Sequence, residues 1–317
     1  MDNNISTTST INIANLSNTT IKGAKIYLAP TRELAQALVE KFQALNLDYS
    51  TVEAEYGDVC IHGSDSLGGW ATLAHHGSRA DNPAPCVWKV NDENFSPKTP
   101  HAILVSHIDL DAIGGIGLVL GFFNPDEQEF WRAAAHIDVC GPHHINEVPA
   151  QEAARLRAFW AYNEQHRANP SRDQITDITN IVLEYFNVLN KIVKDDPEMI
   201  AAGAAWEARV TTAVEAAKVY ESDNIRAFKS SMFTASSYLG TDGKIRPCTV
   251  NFNTKFDAIT LAFEDGGKAH DAASIMRELF GPDAGGRAGI AGTPRGVKFN
   301  DDDLHKVIEY VENLLSK

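Results

Sequence analysis

The segment Ser106-His107-Ile108-Asp109-Leu110-Asp111 sets an imidazole and two carboxylates at alternate positions directly after the apolar run Ala102-Ile103-Leu104-Val105. On an extended chain alternate side chains face the same way, so His107, Asp109 and Asp111 are expected to converge where a strand ends, while Gly114 and Gly115 let a following helix approach closely. Such a trio makes an edge for a divalent cation. A single aspartate in this place ordinarily caps the next helix. Three ligand-type residues in five positions exceed what one cap requires.

A second cluster, His136-Ile137-Asp138-Val139-Cys140-Gly141-Pro142-His143-His144, repeats the pattern. A short strand over 134–139 is expected to deliver His136 and Asp138 to one side, and the Gly-Pro turn presents two histidines. Mixed imidazole and carboxylate ligands suit Mn, Fe or Zn better than Mg, which prefers oxygen and water. The expected metal ligands are His107, Asp109, Asp111, His136, Asp138 and His143, with His107, Asp109, Asp111 and Asp138 as the catalytic core and His144 against a substrate phosphate.

Two further features point to the substrate. His75-His76-Gly77-Ser78-Arg79 offers paired imidazoles beside a guanidinium, for metal or for phosphate, and equally matches an ordinary surface loop because Asn82-Pro83 and Pro83-Ala84-Pro85 follow. His62 and Asp65 carry a weaker signal of the same kind. The stretch Gly285-Gly286-Arg287-Ala288-Gly289-Ile290-Ala291-Gly292-Thr293-Pro294-Arg295-Gly296 exposes backbone N–H groups at Gly286 and Gly289, and Arg287 and Arg295 can fork onto an anion. It lacks the Gly-Lys-Ser/Thr of a Walker loop, and the segment before it reads as helix, which excludes a dinucleotide fingerprint.

These residues need a sheet whose strand ends carry chemistry. Strand 25–29 and helix 30–45 open an α/β unit, and apolar runs at 84–90, 102–106 and 134–139 continue it. Helical periodicity over 150–166, 173–193 and 197–220 follows. Strand-like segments at 232–239, 249–252 and 258–263 precede a helix over 270–279, the glycine loop and a last helix over 301–315. The fold class is α/β: a parallel-sheet metal-binding domain (23–225) with a helical section, and a smaller C-terminal α+β domain (226–317) for substrate. Residues 1–22, rich in Asn, Ser and Thr without the pattern of a secretory signal, read as a flexible tail.

A chain of 317 residues with 44% hydrophobic and 22% charged residues can bury a full core, and contains no apolar stretch of membrane-spanning length. The net charge of −14 opposes a broad grip on a long nucleic acid and is compatible with a small anionic substrate held locally. Four well-separated cysteines form no C-x-x-C pair, so a reducing cytoplasm is expected. A homodimer is compatible with the sequence.

His107-Ile108-Asp109-Leu110-Asp111-Ala112-Ile113-Gly114 resembles the H-x-D-x-D-A-x-G-S motif of the DHH phosphoesterase superfamily, with Gly115 where serine is frequent. Gly285-Gly286-Arg287-Ala288-Gly289-Ile290-Ala291-Gly292 resembles the G-G-H-x-x-A-A-G loop of its DHH-associated domain, with Arg287 for histidine. The two motifs cover about two thirds of the chain, from His107 onward. The D-H-H signature departs: Asp138 stands four residues before His143-His144, and Ala74-His75-His76 has alanine for aspartate. Asp177 is the candidate for the last aspartate ligand. The resemblance implies two divalent ions, Mn2+ above all, and hydrolysis of a phosphodiester, phosphomonoester or phosphoanhydride in a small nucleotide, short oligonucleotide or polyphosphate. The altered signature also suits a regulatory protein that binds a nucleotide without turning it over.

Overall fold

A computed structural model describes residues 13–56, 59–64, 72–74, 100–122, 128–166, 171–231, 237–294 and 296–316. The chain divides into two compact units, Met1–Val139 with Ala154–Gly203 and Cys140–Ala153 with Ala204–Lys317.

In the first unit β1 (Ile13–Ala14), β2 (Lys25–Leu28), β3 (Tyr49–Val52), β6 (Thr72–Leu73), β7 (Ala102–Val105) and β8 (Ile175–Asp177) form one sheet in the order β1-β8-β2-β7-β3-β6. The run β2, β7, β3, β6 is parallel, and β8 pairs antiparallel with β2. All four residues of β7 are buried, as befits a central parallel strand covered on both faces. A two-stranded ribbon joins β4 (Glu55–Tyr56) to β5 (Val59–Cys60).

Helix α1 (Arg32–Ala44) starts at Thr31, whose side chain accepts from the Leu34 N–H, and buries Ala35, Leu38 and Phe42 at helical spacing. Helix α2 (Leu110–Val119) buries Ala112, Ile113 and Ile116 with most of its other residues, so it is apolar nearly all round. Then come α3 (Glu129–Cys140), a 3-10 turn over Pro142–Glu147, α4 (Ala150–His166), α5 (Thr179–Ile192) and α6 (Pro197–Ala216).

The second unit carries β9 (Lys218–Glu221), β10 (Ile225–Lys229), β11 (Cys248–Asn253), β12 (Ala258–Phe263), α7 (Ala272–Phe280), β13 (Gly285–Gly286), β14 (Ile290–Gly292) and α8 (Asp301–Leu315). Its sheet order is β13-β14-β12-β11-β10-β9, antiparallel except for β10 beside β11. A capping box of Asn300 and Asp303 starts α8, which buries Leu304, Val307, Ile308 and Val311 on one stripe.

Several elements differ from the sequence reading. Residues 134–139 belong to α3, because the run Arg132-Ala133-Ala134-Ala135 favours helix and the apolar stretch Phe130 to Ile137 is long enough for one. Ile13–Ala14, inside the expected tail, pairs with β8. Strand β8 interrupts the expected helix over 173–193, and β9 follows α6 where helix was expected to run to residue 220. The segment 84–90 lies outside the described residues. Of 232–239, Leu239 makes an isolated bridge to Ile245. Among the described residues no helix is long and apolar enough to cross a membrane.

Candidate metal centre

Strand β7 ends at Val105, and the chain turns at once into α2 with Asp109 as its N-cap. One oxygen of Asp109, Oδ1, accepts from the Ala112 N–H at 2.9 Å. The other, Oδ2, lies 3.1 Å from His107 Nε2. Capping and metal presentation, alternatives in the sequence, are thus divided between two oxygens of one carboxylate. Asp111 sits in the first turn of α2, so the trio converges through a strand-to-helix junction rather than along an extended chain. The first turn also favours negative charge.

The structure adds a residue that the sequence reading missed. Glu53, directly after β3, is buried, and its Oε2 stands 3.3 Å from His107 Nε2. Its backbone is left-handed, with φ +46°. The Glu53 N–H donates to the Leu73 carbonyl of β6 at 2.8 Å, and the Ser106 hydroxyl donates to the Glu53 carbonyl. Neighbouring strand ends on both sides therefore hold the strained residue in place. The ligand atoms of Glu53, His107 and Asp109 all lie within 4.8 Å of one another.

Electrostatics at this spot are dominated by crowded carboxylates. Burial, with Glu53, Asp138 and Asp109 nearby, pushes the Asp111 carboxyl well above its usual range, and it hydrogen-bonds Glu53. Burial pulls the His107 imidazole down, but the hydrogen-bonded carboxylates of Asp109 and Glu53 more than offset this and raise it to about 11. Both shifts run in the direction that relieves the repulsion.

His136 and Asp138 lie on α3, where a spacing of two turns side chains about 200° apart, so they do not share a side. His136 is half-buried and Asp138 is exposed, though near enough to Asp111 to raise it. Asp177 bonds Lys25 at 2.9 Å and accepts from the Thr179 N–H and hydroxyl and the Ser17 N–H. It is engaged as a structural anchor. His143 and His144 lie in the second unit. The His143 ring packs at a tilt against both His144 and Tyr238, with ring centroids 4.2 Å apart in each case, and burial with His144 beside it lowers the imidazole to about 4. His75, His76 and Arg295 lie outside the described residues.

The glycine stretch folds as the hairpin β13–β14, closed by the Arg287 N–H donating to the Ile290 carbonyl at 2.8 Å. Arg287 is exposed at its tip. A Cβ on Gly286 would stand 2.4 Å from the Ile290 carbonyl oxygen, so this position admits only glycine. Gly289 packs backbone to backbone on Gly266, and a Cβ on Gly289 would meet the Gly266 carbonyl carbon at 2.8 Å.

No family model matches the chain, and no curated protein matches it. Among solved structures it is similar to an exopolyphosphatase-related protein from Bacteroides fragilis, at 10% identity and a TM-score of 0.30, over 78% of this chain and 65% of that one. It is also similar to a pGpG-specific phosphodiesterase from Vibrio cholerae, at 9% identity and a TM-score of 0.43, over 87% and 88%. An uncharacterized protein from Helicobacter pylori aligns at 13% identity and a TM-score of 0.23, over 89% of each chain.

Proposed function

We propose that this protein is a metal-dependent phosphoric ester hydrolase acting on a small nucleotide, short oligonucleotide or polyphosphate. Support comes from one observation: the carboxylates of Glu53 and Asp109 crowd His107, and that of Asp111 crowds Glu53 and Asp109, at the edge of a parallel sheet where α/β proteins place their sites. Like charges held this close fit a divalent cation, which would balance them. Glu53, His107, Asp109 and Asp111 would hold it, with Asp138 within electrostatic range, and the mixed donor set suits Mn2+, with two ions proposed. When bound, the metal lowers the pKa of its water and polarises the phosphoryl oxygen.

The chain's own residues then have distinct tasks. Ser106 hydrogen-bonds His107 Nδ1 at 2.8 Å and fixes the ring's orientation, so that Nε2 faces Asp109 and Glu53. In the second unit Arg287 and the backbone around Gly286 and Gly289 offer donors to a substrate anion. The Arg277 guanidinium, which a Cβ on Gly285 would meet at 3.1 Å, adds a second cation to the base of that hairpin.

The test is a Mn2+-supplemented screen against cyclic dinucleotides, short oligonucleotides, nucleoside phosphates and polyphosphate, scored for released phosphate or nucleotide. Wild type is expected to release product only with metal, and Asp111→Asn not at all. Equal turnover by the variant, or turnover in excess chelator, would overturn the reading.

A further inference from the structure

The 3-10 turn Pro142–Glu147 and the residue after β12 bring together a second set of donors wholly inside the second unit. One ligand atom each from His143, His144 and Glu264 lies within 4.8 Å of the others. We infer that His143, His144 and Glu264 form a binding site for a borderline transition-metal cation of the zinc type, separate from the Glu53, His107, Asp109 and Asp111 set of the proposed hydrolytic centre.

Hydrogen bonding at His144 carries the inference. Its Nδ1 is 2.6 Å from Glu147 Oε1, a short contact that places the Nδ1 hydrogen between them. The lone pair is then on Nε2, and Nε2 faces Glu264 Oε1 at 3.5 Å. A neutral imidazole nitrogen facing a carboxylate oxygen leaves a place between them for a positive centre, a proton or a metal cation. An imidazole that donates one N–H to a carboxylate while its other nitrogen meets a cation is the usual arrangement of a histidine metal ligand. His143 Nε2 donates to the Glu264 backbone carbonyl at 3.3 Å, which leaves the lone pair of its imidazole on Nδ1, a buried atom with no hydrogen-bond partner of its own.

The rings are also held before any cation arrives. His143 packs at a tilt against both His144 and Tyr238, with centroids 4.2 Å from each. Gly141, at φ +96°, leaves room for it, because a Cβ there would stand 2.7 Å from His143 Cε1. Two imidazoles with one carboxylate select zinc or its neighbours over magnesium and calcium, which prefer all-oxygen sites. Glu264 is followed by Asp265, whose carboxylate accepts from the Gly267 and Ala269 N–H groups, and by Gly266, on which Gly289 packs. A cation on Glu264 would therefore stiffen the loop beneath the glycine hairpin.

The experiment uses the full chain carrying Asp109→Asn and Asp111→Asn, which removes ligands from the first unit. This protein, and the same protein with His144→Ala or Glu264→Gln added, are dialysed to equilibrium against Zn2+, and bound zinc is counted by mass spectrometry. The parent is expected to retain one zinc per chain and each added substitution to release it, with Glu264→Gln guarding against a gross packing defect and circular dichroism checking the fold. A parent that binds no zinc, or either variant keeping the parent's zinc, overturns the site. Loss or survival of hydrolysis in wild type does not enter this count, so the result stands apart from the proposed function.

Discussion

Oε2 of Glu53 lies 3.3 Å from Nε2 of His107 across the ends of two adjacent parallel strands, and Glu53 holds that place in a left-handed backbone conformation. A side chain with a Cβ costs about 1–2 kcal/mol there. Asparagine tolerates this conformation better but does not reach as far. Glu53→Asn is therefore expected to raise the stability of the metal-free protein by about 1 kcal/mol in urea titrations, while Mn2+ retained after purification falls. Metal retention equal to wild type would remove Glu53 from the ligand set.

Asp109 and Asp111 separate by substitution because only Asp109 caps α2. Asp109→Ala should lose metal and about 0.5–2 kcal/mol of stability together, whereas Asp109→Asn keeps an oxygen for the Ala112 N–H and loses metal alone. Asp111→Asn removes a buried carboxyl already pushed towards its neutral form. The metal-free Tm should rise, and the further rise that Mn2+ gives wild type should vanish. A Mn2+-dependent Tm shift of wild-type size in Asp111→Asn contradicts the assignment.

Arg287 stands exposed at the tip of a hairpin whose backbone leaves no space for side chains at Gly286. Arg287→Ala should raise KM with metal content unchanged, by an amount equivalent to about 1.5–3 kcal/mol for a lost charge-assisted hydrogen bond. Steady-state kinetics with parallel metal analysis decide the matter: unchanged KM, or lost metal, each exclude substrate recognition by this residue.

The elements and residues legible in the sequence were those with one dominant signal. The apolar run of β7, the ligand trio after it and the stripe of α8 needed no tertiary context. Strand β3 was hidden because Ser50 and Thr51, polar yet buried, break its apolar run, and Glu53 was lost with it. Strand β8 is three residues set against a longer helical period, so periodicity favours helix there. The helix at His136 and Asp138 is hidden because Ala135 to Val139 alternates as a strand does, while the helical spacing of buried Phe130, Ala133, Ala134 and Ile137 shows only over a longer stretch.

Glu221 in the second unit gathers Lys218 at 2.6 Å, Arg246 at 3.4 Å, the wholly buried Arg226 at 3.5 Å and the Thr241 N–H at 2.8 Å. Burial raises its carboxyl, but these donors, Lys218 first, outweigh burial and hold it at about 2, against 4.5 for the free side chain. A depressed folded-state pKa adds stability above the unfolded value that is lost as pH falls. Glu221→Gln is expected to cost about 1–3 kcal/mol at pH 7, and its gap from wild type to narrow as pH drops from 4.5 towards 2. A gap that stays constant over that window in urea titrations would mean that charge plays no part.

Strand β6 runs parallel to β3, with Val52 opposite Leu73, and β3 runs parallel to β7. The strand leading into Ala74-His75-His76 therefore ends on the sheet edge where β3 delivers Glu53 and β7 delivers His107, a juxtaposition that the sequence did not imply. His143 and His144 are engaged instead with Glu147, Glu264 and Tyr238 in the second unit. Alanine variants at His75 and His76 are expected to lower retained Mn2+ or turnover at saturating Mn2+, with a lost ligand releasing metal and a lost phosphate contact sparing it. Variants at His143 and His144 should leave retained Mn2+ unchanged. Should the later pair release Mn2+ while the earlier pair keeps both metal and turnover, the chain would be using its Gly-Pro turn to complete the centre, and the shared edge of β7, β3 and β6 would carry Glu53 and His107 alone.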